Sequence, residues 1–223
     1  MAGSIWTDRR KKTKRKKMTS TNNAFDFDHP PSDPVAACQQ WFDQAKKLPL
    51  ANPNAMTLST VGADGHPSSR IVLLRGFDES GAVFYTNRQS RKARALQAHS
   101  RAALLFHWDD HPIGRQINIE GDVTLTSDAE SDAYWLTRPR ESQISAWASA
   151  QSQPIANRAA MQTAQDAIEA KFAGKPLPRP PHWGGYRVSL ERIELWQGNK
   201  FRSHDRVVYT RAGSNWNVQR LCP

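Results

Sequence analysis

The chain has 223 residues, 38% of them hydrophobic, with 31 Lys and Arg against 21 Asp and Glu for a formal net charge of +10. That length buries one substantial core, makes a single domain the default, and excludes a fibrous or wholly disordered protein. No run approaches the roughly 18 uncharged apolar residues of a membrane span, and the N-terminus lacks the apolar middle of a secretory signal, so a cytoplasmic soluble protein is expected.

Cys38 and Cys222 lie near opposite ends, which leaves no CxxC pair for zinc or a redox disulfide, and no metal site is expected. The charge is concentrated at one place. Arg9, Arg10, Lys11, Lys12, Lys14, Arg15, Lys16 and Lys17 against Asp8 supply +7 of the +10, leaving +3 for the rest. Such a run is either an arm for nucleic acid or another anionic surface, acting through counterion release, or a solvated extension. The extension is the expectation, so nucleic acid is not an expected partner. Met18, directly after the run, offers a second start for translation.

Residues 18–34 are mostly Asn, Asp, Thr, Ser and Pro and read as a flexible lead-in. The predicted division is therefore a disordered extension over residues 1–33 and one folded domain over 34–223. Residues 34–48 place Val35, Cys38, Trp41, Phe42 and Ala45 on one helical face. Strands follow over 55–61, 69–74 and 82–87, separated by Asp64-Gly65 and by residues 78–81, both turn-forming. Ser90 is placed to cap a short basic helix to about His99. Strands 102–108 and 116–126 then flank a loop at 109–114.

Ser127-Asp128-Ala129-Glu130 fits a capping box for a helix over 128–136. Helical segments at 142–148 and 154–172 lead to a proline-rich loop over 175–181, which cannot be helical. Strands return at 185–197, 206–211 and 215–220. This order predicts a mainly β (α+β) fold: an antiparallel six-stranded split β-barrel with peripheral helices. Neither GxGxxG nor GxxxxGK[ST] is present, which excludes the standard dinucleotide and P-loop routes to phosphate.

Two clusters carry chemistry suited to phosphates. Ser90-Arg91-Lys92 opens a helix, where free N–H groups and the dipole favour an anion. Tyr134, Arg138, Arg140 and Ser142 bring phenol, guanidinium and hydroxyl donors within nine residues. Each alone also reads as an ordinary solvated helix end or turn; together they imply two phosphates.

A series of blocks resembles the pyridoxine (pyridoxamine) 5'-phosphate oxidase family. These are Ser68-Ser69-Arg70-Ile71-Val72-Leu73-Leu74, Phe84-Tyr85-Thr86-Asn87, Ser90-Arg91-Lys92, Arg115-Gln116 and Ser131-Asp132-Ala133-Tyr134. Further on stand Arg138-Pro139-Arg140-Glu141-Ser142, Gln151-Ser152, Trp183-Gly184-Gly185-Tyr186, Trp196-Gln197-Gly198 and Arg202-Ser203-His204-Asp205-Arg206. The resemblance spans about residues 34–223. It implies a homodimer of FMN-binding split barrels, with FMN in clefts at the subunit interface.

By that resemblance, FMN contacts fall on Arg70, Ile71, Val72, Leu73, Leu74, Tyr85, Thr86, Arg91, Lys92, Gln116, Gln151, Ser152, Trp196 and Arg206. Substrate contacts fall on Arg75, Tyr134, Arg138, Ser142, Arg202 and His204, with Arg202 and His204 the catalytic pair. Arg202 and His204 are two apart, so on a strand both side chains would share one face, together with Arg206. The implied reaction oxidises pyridoxine 5'-phosphate or pyridoxamine 5'-phosphate to pyridoxal 5'-phosphate, with O2 as acceptor.

The chain departs from the family pattern at Arg75, where Lys is common, and in a 109–114 loop about two residues longer than usual. It has no evident match, before Pro34, to the Arg and Tyr element that folds over substrate. Ser203 and Ala93 replace a commoner Leu and Gly. Two alternatives are a flavin oxidase of another aromatic substrate, as in the phenazine pathway, and a non-enzymatic binder of FMN or nucleic acid.

Overall fold

A computed structural model describes residues 25–109 and 114–223. The basic run at 9–17, Met18 and the middle of the 109–114 loop lie outside the described residues, as does most of the stretch expected to lack the substrate-covering element.

The chain folds as α1 (Pro34–Ala45), β1 (Ala55–Val61), β2 (Pro67–Leu73), β3 (Gly76–Asp78), β4 (Gly81–Asn87), α2 (Arg91–Ala98), β5 (Arg101–Trp108) and β6 (Arg115–Leu125). Then come α3 (Asp128–Leu136), α4 (Arg140–Ala148), α5 (Arg158–Lys171), β7 (Trp183–Val188), β8 (Arg192–Gln197), β9 (Asp205–Ala212) and β10 (Asn215–Arg220). All strand pairs are antiparallel.

Six strands make the barrel expected from the sequence. They run β2-β1-β5-β6-β7-β4, and β2 meets β4 again where the Arg75 N–H donates to the Val83 carbonyl at 2.8 Å. The sequence reading missed the short β3. It also read residues 185–197 as one strand, and the structure divides them into β7 and β8. The reason lies in β6, whose first half, Arg115–Glu120, pairs with β8 while Val123–Leu125 pairs with β7. Gly121 sits at the changeover, with the Ser189 carbonyl so close that no Cβ fits between them. β8, β9 and β10 thus form a wing leaving the barrel on one half of β6.

α1 closes one end of the barrel. Asp33 caps it by accepting from the Val35 N–H, and Pro34 occupies its first turn, where no N–H is needed. Its face of Cys38, Trp41, Phe42 and Ala45 is buried, and Phe42 packs edge-on against Phe77, Phe106 and Trp108. Ahead of it, Phe25 and Phe27 pack on Trp41, and Phe27 belongs to the core. These two aromatic rings, ahead of the boundary expected at residue 34, thus pack onto the body while most of the residues between them and Pro34 stay exposed.

A second, smaller core joins α3, α4 and α5 to the barrel through Trp135, Ile144, Leu177 and Trp183. Two indole N–H groups, of Trp135 and Trp147, donate to the Leu177 and Pro178 carbonyls at 2.8 and 2.7 Å, pinning the proline-rich loop that cannot bond to itself. Among the described residues no helix is long and apolar enough to cross a membrane.

Gly121→Ala forces the backbone of β6 away from Ser189. The cost is about 2 kcal/mol or more for an overpacked site, which in a domain of this size lowers Tm by roughly 5 °C. A thermal melt of the variant showing an unchanged Tm would contradict this account of the bend.

Candidate functional site

The Ser90-Arg91-Lys92 segment places Lys92 in the first turn of α2, facing β2, β4 and the loop after α4. Its ammonium donates to Thr86 Oγ1 at 3.1 Å, Ser90 Oγ at 3.2 Å and Gln151 Oε1 at 2.9 Å. Arg70, on β2, donates to the Leu58 carbonyl at 3.0 Å, Thr60 Oγ1 at 2.8 Å and Ser68 Oγ at 2.6 Å. Every one of these acceptors is neutral. Burial, and after it the charge of Arg70, draws the Lys92 ammonium down to about 8. Arg70 is lowered in the same way by burial and by Arg91. A cationic pocket with no carboxylate in it is a site for an anion.

Ser90 was expected to cap α2 with its side chain, and it does not. Its hydroxyl is taken by Lys92, and the Arg91 N–H is met instead by Ser152 Oγ at 3.1 Å. Ser152 holds a left-handed backbone (φ 73°), which carries its hydroxyl to the helix start from 61 residues away in sequence.

A cavity of about 400 Å³ opens beside this pocket, and Thr86 and Gln151 line both. Tyr85, Arg138, Ser142 and Trp183 line it further, and Glu141 is the one carboxylate among its lining residues. Tyr85 stacks on Tyr134 with centroids 4.2 Å apart and on Trp183 at 5.4 Å. Arg138 lies over the Trp183 ring at 4.8 Å and Arg75 over Tyr134 at 5.6 Å. The Arg138 Nη1 is buried without a hydrogen-bond partner. Burial lowers the proton affinity of Arg138; Tyr134 opposes this and Arg75 adds to it. This is a second cationic cluster at the same cavity, and among the described residues neither of its arginines is ion-paired to a carboxylate.

Arg140, grouped with these residues by sequence, is occupied elsewhere: it bonds Glu169 and the carbonyls of Phe172 and Lys175. Of the β2 segment, Val72 and Leu74 pack on the core, while Ile71 is 64% exposed on the outer face.

The remaining expected residues gather on the wing. Gln116, Trp196 and Arg206 are direct cross-strand neighbours on β6, β8 and β9. His204 packs on Trp196 at 4.7 Å, and its Nδ1 accepts the Asn199 N–H at 3.1 Å. Arg206 is paired with Glu194, a largely buried carboxylate, at 2.6 Å.

Arg202 and His204 are not on a strand, so the alternation argument for them fails. Arg202 ends a short 3-10 turn (Lys200–Arg202), and His204 precedes β9. The Asn199 side chain bonds Asp205 and its N–H bonds His204, so the chain turns back before pairing resumes at Gln197 and Asp205. Phe201 and Arg202 take left-handed backbones as a result, and Arg202 is exposed. Among the described residues no hydrogen bond, ion pair or ring contact joins this wing group to the cavity group.

Sequence reasoning missed Trp183 as a site residue, along with Ser68, Thr60 and Ser90 as acceptors around the two cations. The Gly184-Gly185 pair was the available signal, since consecutive glycines in a strand mark close approach. A Cβ on Gly185 would meet the Tyr85 ring at 2.7 Å, and one on Gly184 would strike the Arg88 guanidinium. Among the described residues no group of three His, Cys, Asp or Glu side chains is placed to hold a metal.

Comparison with known proteins decides the family. Residues 42–172 match the pyridoxamine 5'-phosphate oxidase family, and residues 183–223 match the pyridoxine 5'-phosphate oxidase C-terminal dimerisation region. The chain belongs to the pyridoxine/pyridoxamine 5'-phosphate oxidase family.

Relatives bearing that family's name include one from Rubrobacter xylanophilus, 51% identical over 86% of this chain and 87% of its own length. Another, from Methylibium petroleiphilum, is 52% identical over 89% of this chain and 92% of its own. PhzG from Burkholderia lata, solved with tetrahydrophenazine-1-carboxylic acid, superposes with a TM-score of 0.82. It is 32% identical and covers 88% of this chain and 96% of its own. A pyridoxamine 5'-phosphate oxidase-related, FMN-binding protein from Nostoc punctiforme shares the fold, with a TM-score of 0.67 at 19% identity over 89% of this chain and all of its own.

Proposed function

We propose that the protein is an FMN-dependent oxidase that converts pyridoxine 5'-phosphate and pyridoxamine 5'-phosphate to pyridoxal 5'-phosphate. O2 is reduced to H2O2, and the amine substrate also releases NH3. The carrying observation is the pair of cationic clusters at one cavity whose cations bond neutral acceptors or rings rather than carboxylates, because FMN and a phosphorylated B6 vitamer each bring one phosphate. The family and the names of relatives at about 50% identity support the same reading.

Arg70, Arg91 and Lys92, with Thr86 and Ser152 beside them, are suited to the FMN phosphate. The β2 segment Ile71, Val72, Leu73 and Leu74, with Tyr85 and Gln151, is assigned by the family resemblance to the rest of the cofactor. Arg75, Tyr134, Arg138 and Ser142 are suited to the substrate phosphate. The wing residues Gln116, Trp196 and Arg206, for the flavin, and Arg202 and His204, for the substrate ring, would come from a second copy. Supporting this homodimer are the separation of the two groups within one chain and the match of residues 183–223 to a dimerisation region. The exposed Ile71 and Leu105, which flank Thr57 across β2, β1 and β5, add an apolar strip to the same outer face.

When bound, FMN supplies the hydride acceptor for the substrate's C4' carbon and passes the electrons on to O2. The chain's own residues hold and orient. Arg75 and Arg138 fix the phosphate end, Arg202 covers the substrate face, and His204 polarises the ring oxygen. His204 Nδ1 accepts from the backbone, so in the neutral ring the proton lies on Nε2, the nitrogen left to donate to a ligand. A cytoplasmic setting fits the two unpaired cysteines, one of them buried.

The purified protein is expected to carry flavin absorption and, given pyridoxine 5'-phosphate in air, to form pyridoxal 5'-phosphate and peroxide in equal amounts. Absence of flavin would overturn the reading. Flavin without turnover would favour the oxidase of another aromatic substrate, which the likeness to PhzG keeps in view.

Arg202→Ala is expected to lower kcat/KM about a hundredfold, the scale of a lost orienting group, while flavin content stays at the wild-type level. Equal loss of both would contradict its place at the substrate.

FMN affinity is expected to fall as pH rises through about 8. There the free protein's Lys92 gives up the proton that the bound phosphate requires. The slope approaches tenfold per pH unit for one coupled proton. Fluorescence titration of the apoprotein should show that slope in the wild type and a flat profile in Lys92→Met.

A further inference from the structure

We infer that Trp183 is a positioning residue for the phosphate clamp, acting through Arg138 to set how tightly the substrate's phosphate is held. The inference rests on the reading that Arg138 takes that phosphate.

Arg138 is a partly buried guanidinium with no carboxylate among the partners found for it and one Nη with no partner at all. The like charge of Arg75 repels it. What fixes its plane is aromatic: the Trp183 face at 4.8 Å and the Trp135 ring at 5.2 Å. A cation is attracted to such a face, more strongly where water is excluded, and a flat guanidinium is held with its edge free to meet an anion.

Trp183 is itself fixed from several sides. It is 5% exposed and packs edge-on against Trp135 at 5.1 Å. Its N–H donates to the Pro180 carbonyl, and its carbonyl accepts from Arg179 at 2.8 Å. Arg179 in turn pairs with Asp128 and Asp132 on α3, the helix that carries Tyr134. Three near-parallel rings, Tyr134, Tyr85 and Trp183, thus have Arg75 over the first and Arg138 over the last. The rings hold two repelling cations in place before any anion arrives.

The test uses flavin-loaded wild type, Trp183→Leu, Trp183→Phe, Arg138→Ala and the Arg138→Ala/Trp183→Leu double variant. KM and kcat for pyridoxine 5'-phosphate are measured, with inhibition by inorganic phosphate. Trp183→Leu is expected to raise KM about tenfold, the scale of a desolvated cation–π contact, and to weaken phosphate inhibition by the same factor. kcat should fall by less than about threefold, and Trp183→Phe should lie between Leu and wild type. In the double variant KM should match Arg138→Ala alone within about twofold, because Trp183 works through that side chain.

A fall in kcat with KM and phosphate inhibition unchanged, or effects that multiply in the double variant, would overturn the inference. If Trp183→Leu does not fold, the same cycle is run with Trp183→Phe and judged in the same way. An unchanged KM in Arg138→Ala would instead overturn the assignment of the phosphate to Arg138.

Discussion

Positive charge held partly out of water without a counter-charge is the constraint around which the cavity is organised. Lys92, Arg70 and Arg138 are each surrounded by hydroxyls, carbonyls, an amide or aromatic faces, and burial weakens the hold of each on its proton. Neutral acceptors orient a cation but neutralise none of it, so the field in the cavity remains available to a ligand. An acid at any of these positions would satisfy the cation and abolish the site. The arrangement costs stability in the empty protein, and an anion returns that stability on binding.

The contrast with the other arginines makes the point sharper. Arg179, Arg187, Arg192, Arg206 and Arg220 are paired with carboxylates. They tie α3 to β7, β6 to β8, β8 to β9, and the C-terminal strand to residue 28. Arg206 is therefore a guanidinium already braced by Glu194, which would suit a fixed donor at the edge of a ring better than a free anchor for a phosphate. Charge alone did not separate these two populations in the sequence. Their partners come from distant segments, and only folding shows which arginines meet an acid.

Much of the fold was legible because it rests on local chemistry. The capping box at Ser127 and Glu130 forms as read, α3 has the expected bounds, and α1 buries the face that the spacing of Cys38, Trp41, Phe42 and Ala45 marks out. What was not legible depended on contacts between remote segments. The division of residues 185–197 into two strands is set by Gly121 and its partner Ser189. The helix start at Arg91 is satisfied by Ser152 rather than by the adjacent Ser90. The strand geometry assumed for Arg202 and His204 gave way to a turn fixed by Asn199. The site residues were reached through whole blocks of sequence, because their roles are not written in any local period.

β6 sets apart the two groups of residues that the proposed two-copy site would bring together. Its far end pairs with β7, next to Gly185 and the Tyr85 ring, while its near end carries Gln116 beside Trp196 and Arg206. An extended strand rises about 3.3 Å per residue, so the two groups stand at opposite ends of a long element, on either side of the bend at Gly121. A two-fold axis resolves this without moving either group. In the proposed dimer one copy's wing would meet the other's cavity, and the symmetric exchange would produce a second site of the same kind. In that arrangement the phosphate anchors stay on the barrel, where strands and α2 hold them rigidly. The turn bearing Arg202 and His204, with two left-handed residues, would be braced by docking on that partner. The bend that splits β7 from β8 is thus also the feature that parts the wing from its own chain's cavity group.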